Sequence, residues 1–388
     1  MIFFTDITKN EMSKIVLSVF LCWSVALQVF GIGADGPKKV IIGYVGGYRG
    51  RVIPAEQIQV NKMTHINYAF AKVVRNRVRL AYTRIDSINL VNLIGLKKKN
   101  PALKVLLSVG GWSWSDSFSE AALSDTSRQA FAASAVDLLK RFHLDGLDID
   151  WEYPGMAGSG HHFLASDKQN FTLLLKALRL ELDLAGRKLD KRFLLTAATG
   201  AFRTFLKHTE MGKVQVSLDY INLMTYDYFG GNRAVHHSNL YASASDPRGD
   251  SADKAVRDYI AAGVPISKLV MGLAFYGRMF QLDSTARTGL GDRKSAYMQG
   301  RDFYVLQDEF INKNGFQRYQ DTSARAPYLF NPKNRQFITY EDGWSVGHKC
   351  KYVIDHQMAG VMFWEYDADP NSQLLDQIQL SLKNMQSR

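Results

Sequence analysis

A chain of 388 residues is too long for a small binding module and can bury a large core; one barrel of about 250 residues carrying an insertion accounts for it as well as two domains would. Its 46% hydrophobic and 22% charged residues are ordinary globular proportions and exclude extended disorder. The net charge of +11 would suit an anionic partner, yet the longest basic run is Lys97-Lys98-Lys99 and no nucleic-acid motif accompanies it, so the surplus reads as solvated surface and no nucleic-acid partner is expected.

Near the N-terminus, Lys14 precedes an almost unbroken apolar run, Ile15 to Leu27, and Gly31-Ile32-Gly33-Ala34 follows it. A charged start, a short apolar stretch and small residues form the layout of a secretory signal, expected over residues 1–33. The run is shorter than the ~20 residues of a membrane span, although an uncleaved N-terminal anchor is the alternative. Asp6 and Glu11 fit a signal poorly, which makes Met12 a candidate start. Of the two cysteines, Cys22 lies in this segment, leaving Cys350 alone in residues 34–388. An exported protein without a disulfide relies on its core, which suits a bacterial periplasm or exterior. The expected product is a secreted monomer with no membrane contact.

Beyond this segment, short apolar runs alternate with longer amphipathic ones, the pattern of repeated βα units around a parallel sheet. Eight strands are predicted: Val40–Val45, His65–Ala71, Val105–Val109, Gly146–Trp151, Phe193–Ala198, Tyr220–Thr225, Leu269–Ala274 and Gly360–Trp364. Helical stretches such as Ile85–Lys98, Ser127–Phe142 and Asn170–Leu184 lie between them, the second with Phe131, Ala135, Leu138 and Leu139 at helical spacing. Eight such units predict an α/β fold, a closed (β/α)8 TIM barrel. One interval is too long for a single helix and mixes aromatics, turns and strand-like pieces such as Gln336–Tyr340; it predicts a small α+β insertion between strands 7 and 8, over about 280–343.

The most informative segment runs Leu144-Asp145-Gly146-Leu147-Asp148-Ile149-Asp150-Trp151-Glu152-Tyr153. Asp148, Asp150 and Glu152 alternate with Leu147, Ile149 and Trp151, so on a strand the three carboxylates share one face and the apolar residues the other. In a barrel the apolar face packs on the outer helices and the acids point inward. Like charges in that space raise one another's pKa values, and one proton is held or shared near neutrality. Glu152, nearest the C-terminal end of the strand, faces the rim where barrel active sites form. A protonated acid there can serve a leaving group, as glycoside hydrolysis requires. A divalent-cation site and a solvated turn are the other readings of such a cluster. Asp145 is out of phase with the rest and reads as structural.

This stretch resembles the Asp-x-x-Asp-x-Asp-x-Glu signature of glycoside hydrolase family 18, the chitinases and their relatives. Ser108-Val109-Gly110-Gly111-Trp112 resembles that family's third-strand motif, and Met224-Thr225-Tyr226-Asp227 its sixth-strand motif, with His236-His237-Ser238 in the loop that follows. Phe275-Tyr276-Gly277-Arg278 resembles the end of strand 7, Phe363-Trp364 the end of strand 8, and Tyr44 and Phe70 the ends of strands 1 and 2. The resemblance implies a chitinase of bacterial type acting on β-1,4-linked N-acetylglucosamine by substrate-assisted, retaining catalysis, with no cofactor and no metal. It implies Glu152 as proton donor to the glycosidic oxygen and Asp150 as partner of the acetamido N–H. Asp148 would share a proton with Asp150, and Tyr226 would bond the acetamido carbonyl. Trp364 would floor the −1 sugar and Trp112 a sugar nearer +1. Tyr153, Gly111, Met224, Asp227, Arg278, Tyr44 and Phe70 would complete the walls. An endo-β-N-acetylglucosaminidase or cell-wall glycosidase of the same family, and a non-catalytic chitin-binding lectin, are the competing readings. The adjacent histidines 161–162 and 236–237 read as loop residues, because neighbours on an extended chain point opposite ways.

Overall fold

The computed structural model describes residues 39–386; the apolar run Ile15–Leu27 and the expected signal lie outside them. Fourteen strands form two sheets among the described residues. Eight parallel strands close the larger one: β1 Val40–Gly46, β2 His65–Val74, β4 Lys104–Gly110, β5 Gly146–Asp150, β6 Leu194–Gly200, β7 Tyr220–Met224, β8 Leu269–Ala274 and β14 Gly360–Trp364. Closure comes from β1, which pairs with β14 on one side and β2 on the other. These strands are buried along most of their length, hence their near-continuous apolar runs.

The predicted strand starts and ends agree with these bounds to within a few residues. The predicted helices appear as Thr83–Gly95, continued by a 3-10 turn to Lys98, Asp125–Phe142 and Asp167–Leu189. Asp125–Phe142 begins at a Ser124–Ser127 capping box and stops where His143 turns left-handed. Its buried face, which includes Phe131, Ala135, Leu139 and Phe142, packs on the barrel. An additional strand, β3 Arg77–Leu80, folds back on β2 through Arg75 and Asn76, both at positive φ. No helix among the described residues is long and apolar enough to cross a membrane.

Between β8 and β14 lies an antiparallel sheet of five strands, ordered β10 (Lys294–Asp302), β9 (Tyr276–Leu282), β13 (Gln336–Thr339), β12 (Ala326–Asn331) and β11 (Gln317–Asp321). Phe280, Leu282, Phe330 and Phe337 form part of its own small core. The sheet opens at Tyr276 rather than near Phe280, so Arg278, read from sequence as the end of strand 7, belongs to the first inserted strand.

Candidate active site

Strand β5 sets the site. Leu147, Ile149 and Trp151 are buried in the core outside the barrel, and Trp151 stacks on Phe118 at 5.2 Å. Alternation then turns Asp148 and Asp150 inward, with Glu152 just past the strand end. Asp145, out of phase, belongs to the other end: it accepts from the Val105 N–H at 2.8 Å and pairs with Lys97 at 2.5 Å and Lys191 at 3.1 Å.

Asp148 lies in register with Ser108 on β4 and Thr196 on β6. Both hydroxyls donate to it, at 2.7 and 2.6 Å, as do Tyr44 at 2.9 Å and the Asn222 amide at 3.1 Å. Burial raises its carboxyl, and these donors counter the rise. Four donors converging on two oxygens describe an ionised carboxylate. No hydrogen bond joins it to Asp150. Asp150 is buried, and its Oδ1 has no partner among the described residues. Burial, and then the charges of Glu152 and Asp148, hold this carboxyl well above its ordinary value. Of the two aspartates, Asp150 is therefore the more readily protonated.

Glu152 closes the row. Burial raises its carboxyl to about 7; interaction with the Tyr153 hydroxyl opposes the rise, and the charge of Asp227 adds to it. Its backbone N–H donates to Ser115 Oγ at 2.9 Å, and that hydroxyl reaches the carbonyls of Gly111 and Asp150. Ser115 thus ties the loop after β4 to the end of β5. Gly110 sits at φ +112, and a Cβ there would fall 2.2 Å from the Asp150 carbonyl oxygen. Only glycine allows the two strands this approach.

These side chains border a cleft of about 900 Å³. Tyr44, Phe70, Trp112, Asp150, Glu152, Tyr153, Met224, Tyr226, Asp227, Arg278 and Trp364 line it. Two predicted residues do not: Asp148 lies beneath, and at the glycine pair it is Gly110, not Gly111, that reaches the wall. Gly111 instead donates its N–H to the Asp150 carbonyl at 2.7 Å, with the Phe70 ring over its Cα. Trp364 stacks with Phe70 at 5.5 Å and with Tyr48 at 5.8 Å, giving an aromatic floor. Trp112 is half exposed and meets Tyr153 edge-on at 6.4 Å. Among the described residues the Tyr226 hydroxyl finds only the sulfur of Met362, at 3.9 Å.

On the opposite wall, Arg278 grips Asp227 through Nε at 2.8 Å and Nη2 at 2.5 Å. Its guanidinium lies 4.8 Å from the Tyr276 ring centroid and 5.3 Å from that of Phe229. Asp227 is held below the ordinary carboxylate range: burial acts against this, but His237 and Arg278 outweigh it. Tyr48, Trp114, Phe229, Tyr276 and Tyr297 also line the cleft; Tyr276 is part of the motif ending at Arg278, and the other four go unnoticed in the sequence because single aromatics carry no periodic signal.

The sequence profile described as Glycosyl hydrolases family 18 matches residues 40–369. The chain is 34% identical to Chitinase A1 of Niallia circulans over 96% of its own length and 63% of that relative, so it spans less than two thirds of that protein. It superposes on a glycoside hydrolase family 18 N-acetylglucosaminidase from Paenibacillus barengoltzii with a TM-score of 0.82 and 42% identity, covering 89% of this chain and 100% of that one. With Chitinase ChiA74 from Bacillus thuringiensis the TM-score is 0.83 at 32% identity, covering 90% and 70%.

Proposed function

The chain belongs to glycosyl hydrolases family 18, and on that premise we propose that it is a secreted chitinase that cleaves β-1,4-linked N-acetylglucosamine polymers with the substrate's own acetamido group as nucleophile. The observation that carries this reading is the pairing of a raised Glu152 carboxyl with two sparsely bonded polar atoms, Asp150 Oδ1 and the Tyr226 hydroxyl, in one aromatic-floored cleft. A sugar resting on Trp364 would present its 2-acetamido group to that pair, the N–H to Asp150 and the carbonyl to Tyr226. Glu152 then protonates the glycosidic oxygen as the C1–O bond breaks. The acetamido oxygen attacks C1 from the opposite face, giving an oxazolinium ion. A cation growing beside Asp150 lowers its pKa, so its proton passes to the Asp148 carboxylate in the same row and Asp150 becomes the counter-charge. Water, deprotonated by Glu152, attacks C1, reopens the ring and restores the original anomer.

The acetamido requirement gives the test. N-Acetylglucosamine hexamer should be cut, while the fully deacetylated hexamer, which lacks the nucleophile, should survive; equal cleavage of both would refute substrate assistance. Similarity to an N-acetylglucosaminidase supports a second reading, release of single sugars rather than internal cleavage. Early products distinguish the two: mixed short oligomers for a chitinase, monomer alone for an exo-acting enzyme.

A further inference from the structure

The loop His236-His237-Ser238 runs behind the cleft wall. The His237 side chain is wholly buried, and its Nδ1 lies 3.4 Å from Asp227 Oδ1, the oxygen that Arg278 Nε also reaches. The other ring nitrogen, Nε2, has no hydrogen-bond partner among the described residues. A bare buried nitrogen is unfavourable, and an aliphatic side chain would avoid it. The ring is held in place nonetheless. The His237 N–H donates to Thr339 Oγ1 of β13 at 3.0 Å, and its carbonyl accepts from the Tyr228 N–H at 3.1 Å. Next door, Ser238 is bonded by Lys349, which forms a fully buried pair with Glu341.

Five titratable or charged groups face this histidine. Asp227 follows β7, Arg278 and Tyr276 stand on β9, Glu341 precedes the helix Gly343–Asp355, and Lys349 lies on that helix, reaching the loop through Ser238. Among the described residues only Asp227 offers an acceptor near a ring nitrogen. Burial lowers the pKa of the imidazole against the pull of Asp227, and the acceptor beside Nδ1 puts a hydrogen on that nitrogen.

We infer that His237 is a positioning residue: a buried imidazole whose Nδ1–H keeps Asp227 ionised and aligned on Arg278, so that a fixed negative charge stands beside Glu152. The inference rests on the hydrolase reading for its catalytic consequence, but the geometry at Asp227 is independent of it. Without that donor, Asp227 takes up a proton at higher pH and the charge beside Glu152 is lost sooner on acidification.

The test compares His237→Leu, which removes the donor, with His237→Asn, whose amide nitrogen occupies the place of Nδ1. In kcat/KM on N-acetylglucosamine hexamer between pH 2 and 9, the native acid limb from Asp227 lies below the ordinary carboxylate range, and the Leu variant should show it raised by about one unit, the effect of a hydrogen bond to a charged group. The alkaline limb, set by Glu152, should stay, and Asn should restore the native profile. A merely structural role would scale the whole profile down without moving either limb; that result, or an Asn variant as impaired as Leu, would overturn the inference. His237→Gln, with its amide at the place of Nε2, substitutes for Leu if that variant does not fold.

Thermal unfolding judges the same claim without turnover. A carboxyl depressed in the folded state adds stability above its unfolded value of about 4 and loses it as pH falls. The Asn variant should therefore melt above the Leu variant at pH 6, with the gap closing only below pH 3, as pH falls through the two depressed folded values; neither titrates at position 237. A gap that is absent or does not change with pH contradicts the assignment. If native protein leaves the hexamer intact, the chitinase reading fails while this arm still decides the role of His237.

Discussion

Two features hold a proton on Glu152 up to near neutrality. The cleft removes most of its water, and Asp227 stands across the gap as an anion, while the Tyr153 hydroxyl acts against both. A proton donor works only while protonated, so raising pH through about 7 should remove activity. We expect the alkaline limb of kcat/KM to fall near that value, roughly tenfold per pH unit beyond it; a limb at pH 9 or above would show that another group gives the proton. The acids were legible in the sequence because alternation alone puts them on one face. Their partners were not. Tyr44, Ser108, Thr196 and Asn222 come from four different strands and meet at Asp148 only through barrel closure and register. His237 was visible as half of a histidine pair, but nothing local shows that its ring turns back toward Asp227.

At the scale of elements, the barrel strands announced themselves as apolar runs because burial on both faces removes polar alternation. The β2–β3 hairpin did not, since Arg75-Asn76 lacks the glycine that usually marks such a turn. The start of the inserted sheet was hidden too, because β8 and β9 are separated by Phe275 alone. This short junction places Tyr276 and Arg278 on the cleft wall, so the insertion supplies part of the site. Its far end is secured by Glu341, which accepts from the Ala274 N–H of β8, from Ser238 and from Lys349. Lys349→Met strands that carboxylate in the interior and should cost about 3–5 kcal/mol in denaturant unfolding. Adding Glu341→Gln should recover part of the loss; additive destabilisation by the two changes would show that the pair is not the tie between insertion and barrel.

For the molecule as a whole, the cleft joins residues from the ends of β1, β2, β4, β5, β7 and β14 with two inserted strands, β9 and β10. Such a groove, floored by Trp364 and Phe70 and edged by the exposed Trp112, suits an elongated sugar chain with apolar faces. Chemistry concentrated at Glu152 within that groove is the central claim. The direct measurement is digestion of N-acetylglucosamine hexamer by native protein beside folded Glu152→Gln, followed by product analysis. We predict short oligomers from the native protein and a rate lower by about 10²- to 10⁴-fold in the variant, the usual range for loss of a general acid. An intact hexamer with native protein, or undiminished cleavage by the variant, would contradict the account.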